Sequence, residues 1–223
     1  MKKTCLIKQN AGLGDIFYCQ KIAKEFIKNG YEVYWPVIPQ FSYIPDYIKY
    51  PGIHFESFST PDISLNLQHA TDDVWKTRSC SIMDAKYILA DIDNSDWIDY
   101  FTFDRDINKE TELYNMLVNT EKYCLICNTY ASPPDEVYLK IEPDTNLPKI
   151  YIQNILNFTP FDWCKLIENA TELYFVDTCF TYFVEKLKIK AEKMVLYPRE
   201  PHHRKIITKS NWRKDWEYVD KSI

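Results

Sequence analysis

Residues 4–38, "TCLIKQNAGLGDIFYCQKIAKEFIKNGYEVYWPVI", leave this chain few folds. "TCLIKQ" reads as a short apolar strand. "AGLGD" is a turn that holds Gly12 and Gly14, two of the four glycines in the chain. From Asp15 onward, Ile16, Cys19, Ile22, Ala23, Phe26 and Ile27 recur at helical spacing, and the run stops at Gly30. "YEVYWPVI" is then a second strand. Two strands joined through a helix lie parallel, with a right-handed crossover.

The same alternation continues. Residues 36–75 carry five prolines and little periodicity. Within and beyond them, "QFSYIPDYIKY" predicts a short helix, and "GIHFESF" and "AKYILADI" predict strands at 52–58 and 85–92. "DINKETELYNMLVN" has a helical pattern, with Asn108 as its expected cap and Glu110 and Glu112 in the first turn. Further on, "KYCLICNTYA" and "KIYIQNI" predict strands. "TPFDWCKLIENA" predicts a helix capped by Thr159 with Pro160 in first position. "TELYFVDT", "CFTYFVEKLKI" and "EKMVLYPR" predict strand, helix and strand. The expected class is α/β: two Rossmann-like β/α/β halves facing a cleft. The expected bounds are 1–110, 118–204, and a C-terminal helix or tail over 205–223 whose Trp212 and Trp216 pack on the body.

Composition narrows the function classes. Net charge is -5 with both signs mixed, so the basic face that displaces counterions from nucleic acid is missing. The opening "MKKTCLIKQNAGLGD" has an apolar run of about three residues, where a secretion signal needs roughly seven or more. No stretch approaches the ~20 apolar residues of a membrane span. The expectation is a soluble, cytoplasmic protein. Its seven cysteines read as reduced and buried thiols. Cys124 and Cys127 form a CxxC, but on a strand these positions face opposite sides, which disfavours a shared metal. His202 and His203 lie in a polar tail and read as solvated.

In open α/β sheets ligands bind beyond the carboxyl ends of strands, which selects two loops. The first is 10–15. Gly12 and Gly14 allow close backbone approach, and the helix start offers unpaired N–H groups. A dinucleotide is disfavoured: Phe17 stands where a third glycine would fall, and "YWPV" ends the second strand without a ribose-binding acid. No GK[ST] follows, which removes the P-loop. Asp15 reads as a helix N-cap or as a general base. The second loop is "VDTCF", where Asp177, Thr178 and Cys179 could meet a phosphate or simply cap the next helix. Asn128, Thr129 and Ser132 follow a strand of the second half and could line the same place. Charge partners for a diphosphate are Lys8, Arg105, Arg199 and Arg204, each equally readable as a surface charge.

The stretch "LIKQNAGLGDIFYCQKIAKEFIKNGYEVYW" resembles the opening of GT-B-type glycosyltransferases, especially the heptosyltransferase-like family. "FDWCKLIENATELYFVDTCFTYFVEKLKI" is similar to that family's late segment. The resemblance implies that Asp15, after Gly14, is the catalytic base that deprotonates an acceptor hydroxyl. It also implies that Asp177 and Thr178 contact donor phosphate. The expected activity is metal-independent transfer of a hexosyl or heptosyl group from a nucleotide sugar to a glycan or other hydroxyl, with no separate cofactor. The chain departs from the family in its short length. Phe180, Tyr182 and Phe183 stand where a histidine usually follows the late turn, and no lysine signature opens the second half. The competing readings are a catalytically silent binding module and another nucleotide-binding Rossmann enzyme.

Overall fold

The computed structural model describes residues 2–68, 74, 77–78, 80–130, 136–199 and 212–219. Ser132, His202, His203 and Arg204 lie outside them. The chain divides into two units, Met1–Asp104 and Arg105–Ile223.

In the first unit, strand β1 (Lys3–Lys8) enters helix α1 (Leu13–Lys28), which returns to β2 (Tyr31–Tyr34). A 3₁₀ turn (Pro39–Phe41) and α2 (Ile44–Tyr47) lead to β3 (Ile53–His54) and β4 (Ile63–Asn66). Then come α3 (Ile82–Ala90) and α4 (Trp97–Tyr100). Among the described residues the sheet runs β3-β2-β1-β4, and each pair is parallel. Strand β1 is central, which is why Cys5 and Ile7 have no exposure.

The stretch 85–92 is helical rather than extended. Ser81 Oγ accepts from the Asp84 N–H at 3.0 Å, and Asp84 Oδ2 accepts from the Ser81 N–H at 3.2 Å, so a capping box starts α3. Ile88, within the stretch that suggested a strand, lies outside the core and is 36% exposed. The buried face is Ala85, Lys86, Tyr87 and Ala90. Asp91 then closes the helix in the left-handed region with φ 54°.

Helix α1 is buried beyond its apolar stripe. Lys21 donates to the Asp93 carbonyl at 2.5 Å and pairs with Asp96, while Lys24 donates to the Tyr100 carbonyl at 2.5 Å and to Thr102 Oγ1 at 2.6 Å. Residues 93–102 therefore cover its polar flank.

The second unit opens with α5 (Ile107–Leu117), the helix that the expected bounds left between domains. Its cap is Asp106 rather than Asn108: Asp106 accepts from the N–H groups of Asn108 and Lys109, both at 3.1 Å. Arg105 then forks onto two carboxylates, Glu110 at 2.5 and 2.7 Å and Glu168 at 2.8 and 2.9 Å. Strand β5 (Cys124–Cys127) leads through a hairpin, β6 (Thr129–Tyr130) and β7 (Val137–Tyr138), to β8 (Lys149–Tyr151). Thr159 caps a 3₁₀ turn (Pro160–Trp163) that runs into α6 (Cys164–Asn169). Then follow β9 (Glu172–Val176), α7 (Cys179–Lys186), β10 (Lys193–Tyr197) and β11 (Glu217–Tyr218).

The main sheet of the second unit runs β11-β10-β9-β5-β8, again parallel at each described pairing. The described residues past 205 contain β11 and no helix. Glu185 of α7 holds this segment, accepting from the Arg213 N–H at 2.7 Å and Trp216 Nε1 at 2.8 Å. Trp216 is 7% exposed, which agrees with its expected packing on the body.

Glu110 is 1% exposed, so its charge depends on Arg105. Arg105→Met leaves that carboxylate buried without a cation. The expected loss is about 3–5 kcal/mol in urea melts; a loss below about 1 kcal/mol contradicts the ion-pair assignment.

Candidate functional site

In each unit the strand order reverses at one place. From β1 the chain proceeds to β2 and β3 on one side, and β4 then pairs on the other. From β5 it goes to β8, and β9 then pairs on the opposite side of β5. Crossovers that leave in opposite directions open a crevice outside the carboxyl ends of the two strands that flank the switch. Those ends are β1 with β4, and β5 with β9. Both loops selected from the sequence lie there.

At the first switch, the Lys8 carbonyl accepts from the Leu67 and Gln68 N–H groups at 3.1 and 3.0 Å, prolonging the β1–β4 ladder. The Lys8 side chain is exposed. Gly12 precedes α1 with φ 79°, and a Cβ there would stand 2.5 Å from Asp15 Oδ2. Glycine is thus needed both for the left-handed backbone and for room beside the carboxylate. Gly14 is already inside the helix. Asp15 is not the cap: it occupies the third helical position, and Gly12 makes no side-chain cap bond. Its Oδ1 lies 3.0 Å from Lys86 Nζ, with the aspartate side chain 34% and the lysine 2% exposed. Lys86 also donates to Gln9 Oε1 at 2.6 Å and to the Leu67 carbonyl at 2.8 Å. Below this cluster, burial pushes the Cys19 thiol up to about 12, partly offset by Lys86.

Sequence reading missed Lys86 and Gln9. The available signals were the Ser-x-x-Asp box at 81–84 and a lysine inside an otherwise apolar run.

At the second switch, Thr178 is the cap of α7: its Oγ1 accepts from the Phe180 N–H at 3.3 Å and lies 3.6 Å from Cys127 Sγ. Cys179 is the first helical residue. The Asp177 N–H donates to the Tyr197 carbonyl at 3.0 Å, and its own carbonyl accepts from Arg199 Nε. The Arg199 guanidinium also lies 5.8 Å from the Tyr130 ring centroid. Asn128 and Thr129 follow β5, with the Asn128 carbonyl bound to the Leu139 N–H at 2.7 Å. Asp177, Thr178, Cys179, Asn128, Thr129 and Arg199 thus share one end of one sheet. Arg105 is engaged by Glu110 and Glu168 instead.

Burial pushes the thiols here up, Cys127 to about 11 and Cys179 to about 12. It also raises the Asp177 carboxyl above its ordinary value, against the pull of Arg199. All seven cysteines are free thiols, and Cys124 and Cys127 are both buried. Among the described residues no group of three His, Cys, Asp or Glu side chains is placed to hold a metal ion, and no helix is long and apolar enough to cross a membrane.

Two parallel α/β units with strand orders 3-2-1-4 and 2-1-3-4-5 are Rossmann-like, and together with the solved structures below they make a GT-B-type fold. Solved structures agree. The chain is similar to the iron-containing dodecameric glycosyltransferase TibC from enterotoxigenic E. coli H10407, with 11% identity over 99% of this chain and a TM-score of 0.57. It spans 63% of that protein's length. A glycosyl transferase family 9 structure from Veillonella parvula DSM 2008 matches at 10% identity over 98% of this chain and 86% of its own, also with a TM-score of 0.57. The E. coli heptosyltransferase WaaC with ADP-2-deoxy-2-fluoro heptose matches at 10% identity over 97% of this chain and 92% of its own, with a TM-score of 0.50. No protein-family model and no curated protein matches the sequence.

The raised Asp177 pKa has a stability consequence. As pH rises, the unfolded carboxyl loses its proton first, so the folded state holds more protons and stability falls through this interval. Asp177→Asn removes that loss and keeps the backbone carbonyl for Arg199. Urea melts are expected to show the variant more stable than wild type near pH 7, with the gain shrinking toward pH 4. A gain that grows as pH falls contradicts the burial argument.

Proposed function

We propose that the chain is a glycosyltransferase that moves a hexosyl or heptosyl group from a nucleotide-sugar donor to a hydroxyl acceptor, on a glycan or another molecule. The full-length likeness to glycosyltransferase structures supports this, one of them holding an ADP-sugar analogue. The observation that carries the division of roles is the contrast between two helix starts. The head of α1 already has a carboxylate in its first turn, Asp15. The head of α7 has no acid in its first turn, and Arg199 stands beside it.

The donor diphosphate is assigned to α7, where the helix dipole, the first-turn N–H groups and Arg199 favour an anion. Asn128 and Thr129 line the same strand ends. The acceptor is assigned to Asp15. The acceptor oxygen attacks the anomeric carbon as its proton passes to the Asp15 carboxylate. The new C–O bond forms while the sugar–phosphate C–O bond breaks, and the electron pair leaves on the nucleoside diphosphate. Charge developing there is stabilised by the N–H group of Cys179 and by Arg199. No metal and no separate cofactor enters this scheme. The free, buried thiols fit a reducing compartment, and we assign the protein to the cytoplasm.

Melting temperatures with UDP-, GDP-, ADP- and dTDP-sugars test the donor assignment. A true donor at a hundred times its Kd adds about 2.7 kcal/mol of stability. No shift with any of the four removes the nucleotide-sugar reading. Asp15→Asn is expected to lower transfer at least ~100-fold with the fold retained. Unchanged transfer removes Asp15 as the base, and donor binding without transfer in the wild type leaves a silent binding module.

A further inference from the structure

We propose that Lys86 is the positioning residue for Asp15, an internal ammonium that sets where the carboxylate stands at the first switch point. The inference rests on the reading of Asp15 as the base and adds a residue that neither the sequence motifs nor the fold comparison point to.

An ammonium has three donors and no acceptor. Lys86 reaches three segments: it donates to Gln9 Oε1 after β1 and to the Leu67 carbonyl after β4, and its ammonium pairs with Asp15 Oδ1 in the first turn of α1. Gln9 Nε2 in turn donates to the Ala11 carbonyl at 2.6 Å, which ties the glycine turn into the same network. The other Asp15 oxygen sits over Gly12, where a Cβ would come within 2.5 Å. One oxygen is therefore held by charge and the other is located by a missing side chain.

Stability alone does not account for this arrangement. A buried ion pair recovers little more than its desolvation cost, and an apolar side chain of similar volume fills such a position as well or better. Lys21 and Lys24, also buried, show the structural use of lysine in this unit: they fasten α1 to residues 93–102 through carbonyls, Asp96 and Thr102. Lys86 differs in place and partner. It lies where the two strands diverge, and its partner side chain keeps a third of its surface in water.

Two double-mutant cycles on the full chain test the proposal, built from Asp15→Asn, Lys86→Met and both together. Lys86→Gln replaces Lys86→Met if the latter does not fold. The first cycle reads urea stability. Lys86→Met is expected to lower the midpoint more in the wild type than in the Asp15→Asn background. The second reads nucleoside-diphosphate release from whichever of UDP-, GDP-, ADP- or dTDP-glucose shifts the melting temperature, with water as acceptor. Lys86→Met is expected to lower kcat about 10- to 100-fold with donor KM within about twofold. In the Asp15→Asn background it is expected to change kcat by less than about twofold.

Additive stability effects overturn the proposal whatever the turnover. Coupled stability with additive effects on kcat also overturns it, because Lys86 then acts apart from Asp15. Coupled stability with Asp15→Asn turning over at the wild-type rate overturns the base reading, and the positioning role with it. If none of the four sugars is turned over, the nucleotide-sugar reading fails, and the stability cycle by itself decides whether Lys86 holds Asp15.

Discussion

Parallel pairing is the constraint on which the rest of this structure depends. A parallel neighbour cannot be reached by a tight turn, so each strand must be followed by a crossover that packs on the sheet. At β1 and at β5 the crossovers leave in opposite directions. Pairing continues past the regular ladder at the first point: the Leu67 and Gln68 N–H groups both bond the Lys8 carbonyl. The strand ends are thereby held close while the segments that follow must part. Polar backbone left there needs partners. Gln68, Trp35 and Lys86 supply them at the first switch, and Thr178 and Arg199 at the second.

The local pattern made much of this legible and hid the rest for identifiable reasons. The opening β-α-β unit, the alternation of the second half, the Thr159 cap and the turn at Thr178 all follow from short-range signals. Strand β4 did not. It is four residues long and lies in a proline-rich stretch, and what makes it a strand is its partner β1, 58 positions away in register. The α3 error has the opposite origin. Ile88 raises the apparent strand propensity of a segment whose buried face is Ala85, Lys86, Tyr87 and Ala90. Periodicity weighs residues by hydropathy, and here the most apolar ones are not the ones in the core.

The candidate site was legible at its backbone and obscure at its electrostatics. The glycine turn and Asp15 were visible because both act within a few residues. The charge that faces Asp15 was not, because Lys86 arrives from a helix that the apolar pattern disguised. Its burial also contradicts the usual place of lysine, and such a departure marks a position where the fold retains a charge at a cost. The Asp15 cap assignment failed on register alone: the cap lies three residues earlier, at Gly12, which can turn the chain with a positive φ.

That three-residue shift changes the chemistry at α1. A carboxylate at the cap would spend an oxygen on helix N–H groups and serve the backbone. At the third position, with no side-chain cap bond, Asp15 instead meets the ammonium of Lys86 and keeps part of its surface in solvent. A carboxylate paired with Lys86 already stands at that helix start, so a second anion gains little by binding there. The head of α7 is built the other way. Its cap is a neutral hydroxyl, its first turn has no acid, and the nearest carboxyl, Asp177, is pushed toward its neutral form by burial. Anion-binding capacity is thus met by a carboxylate at one helix start and only by a neutral hydroxyl, on the Phe180 N–H, at the other. That asymmetry, more than any single motif, is what supports the proposed proton acceptor in the first unit and the proposed phosphate binder in the second.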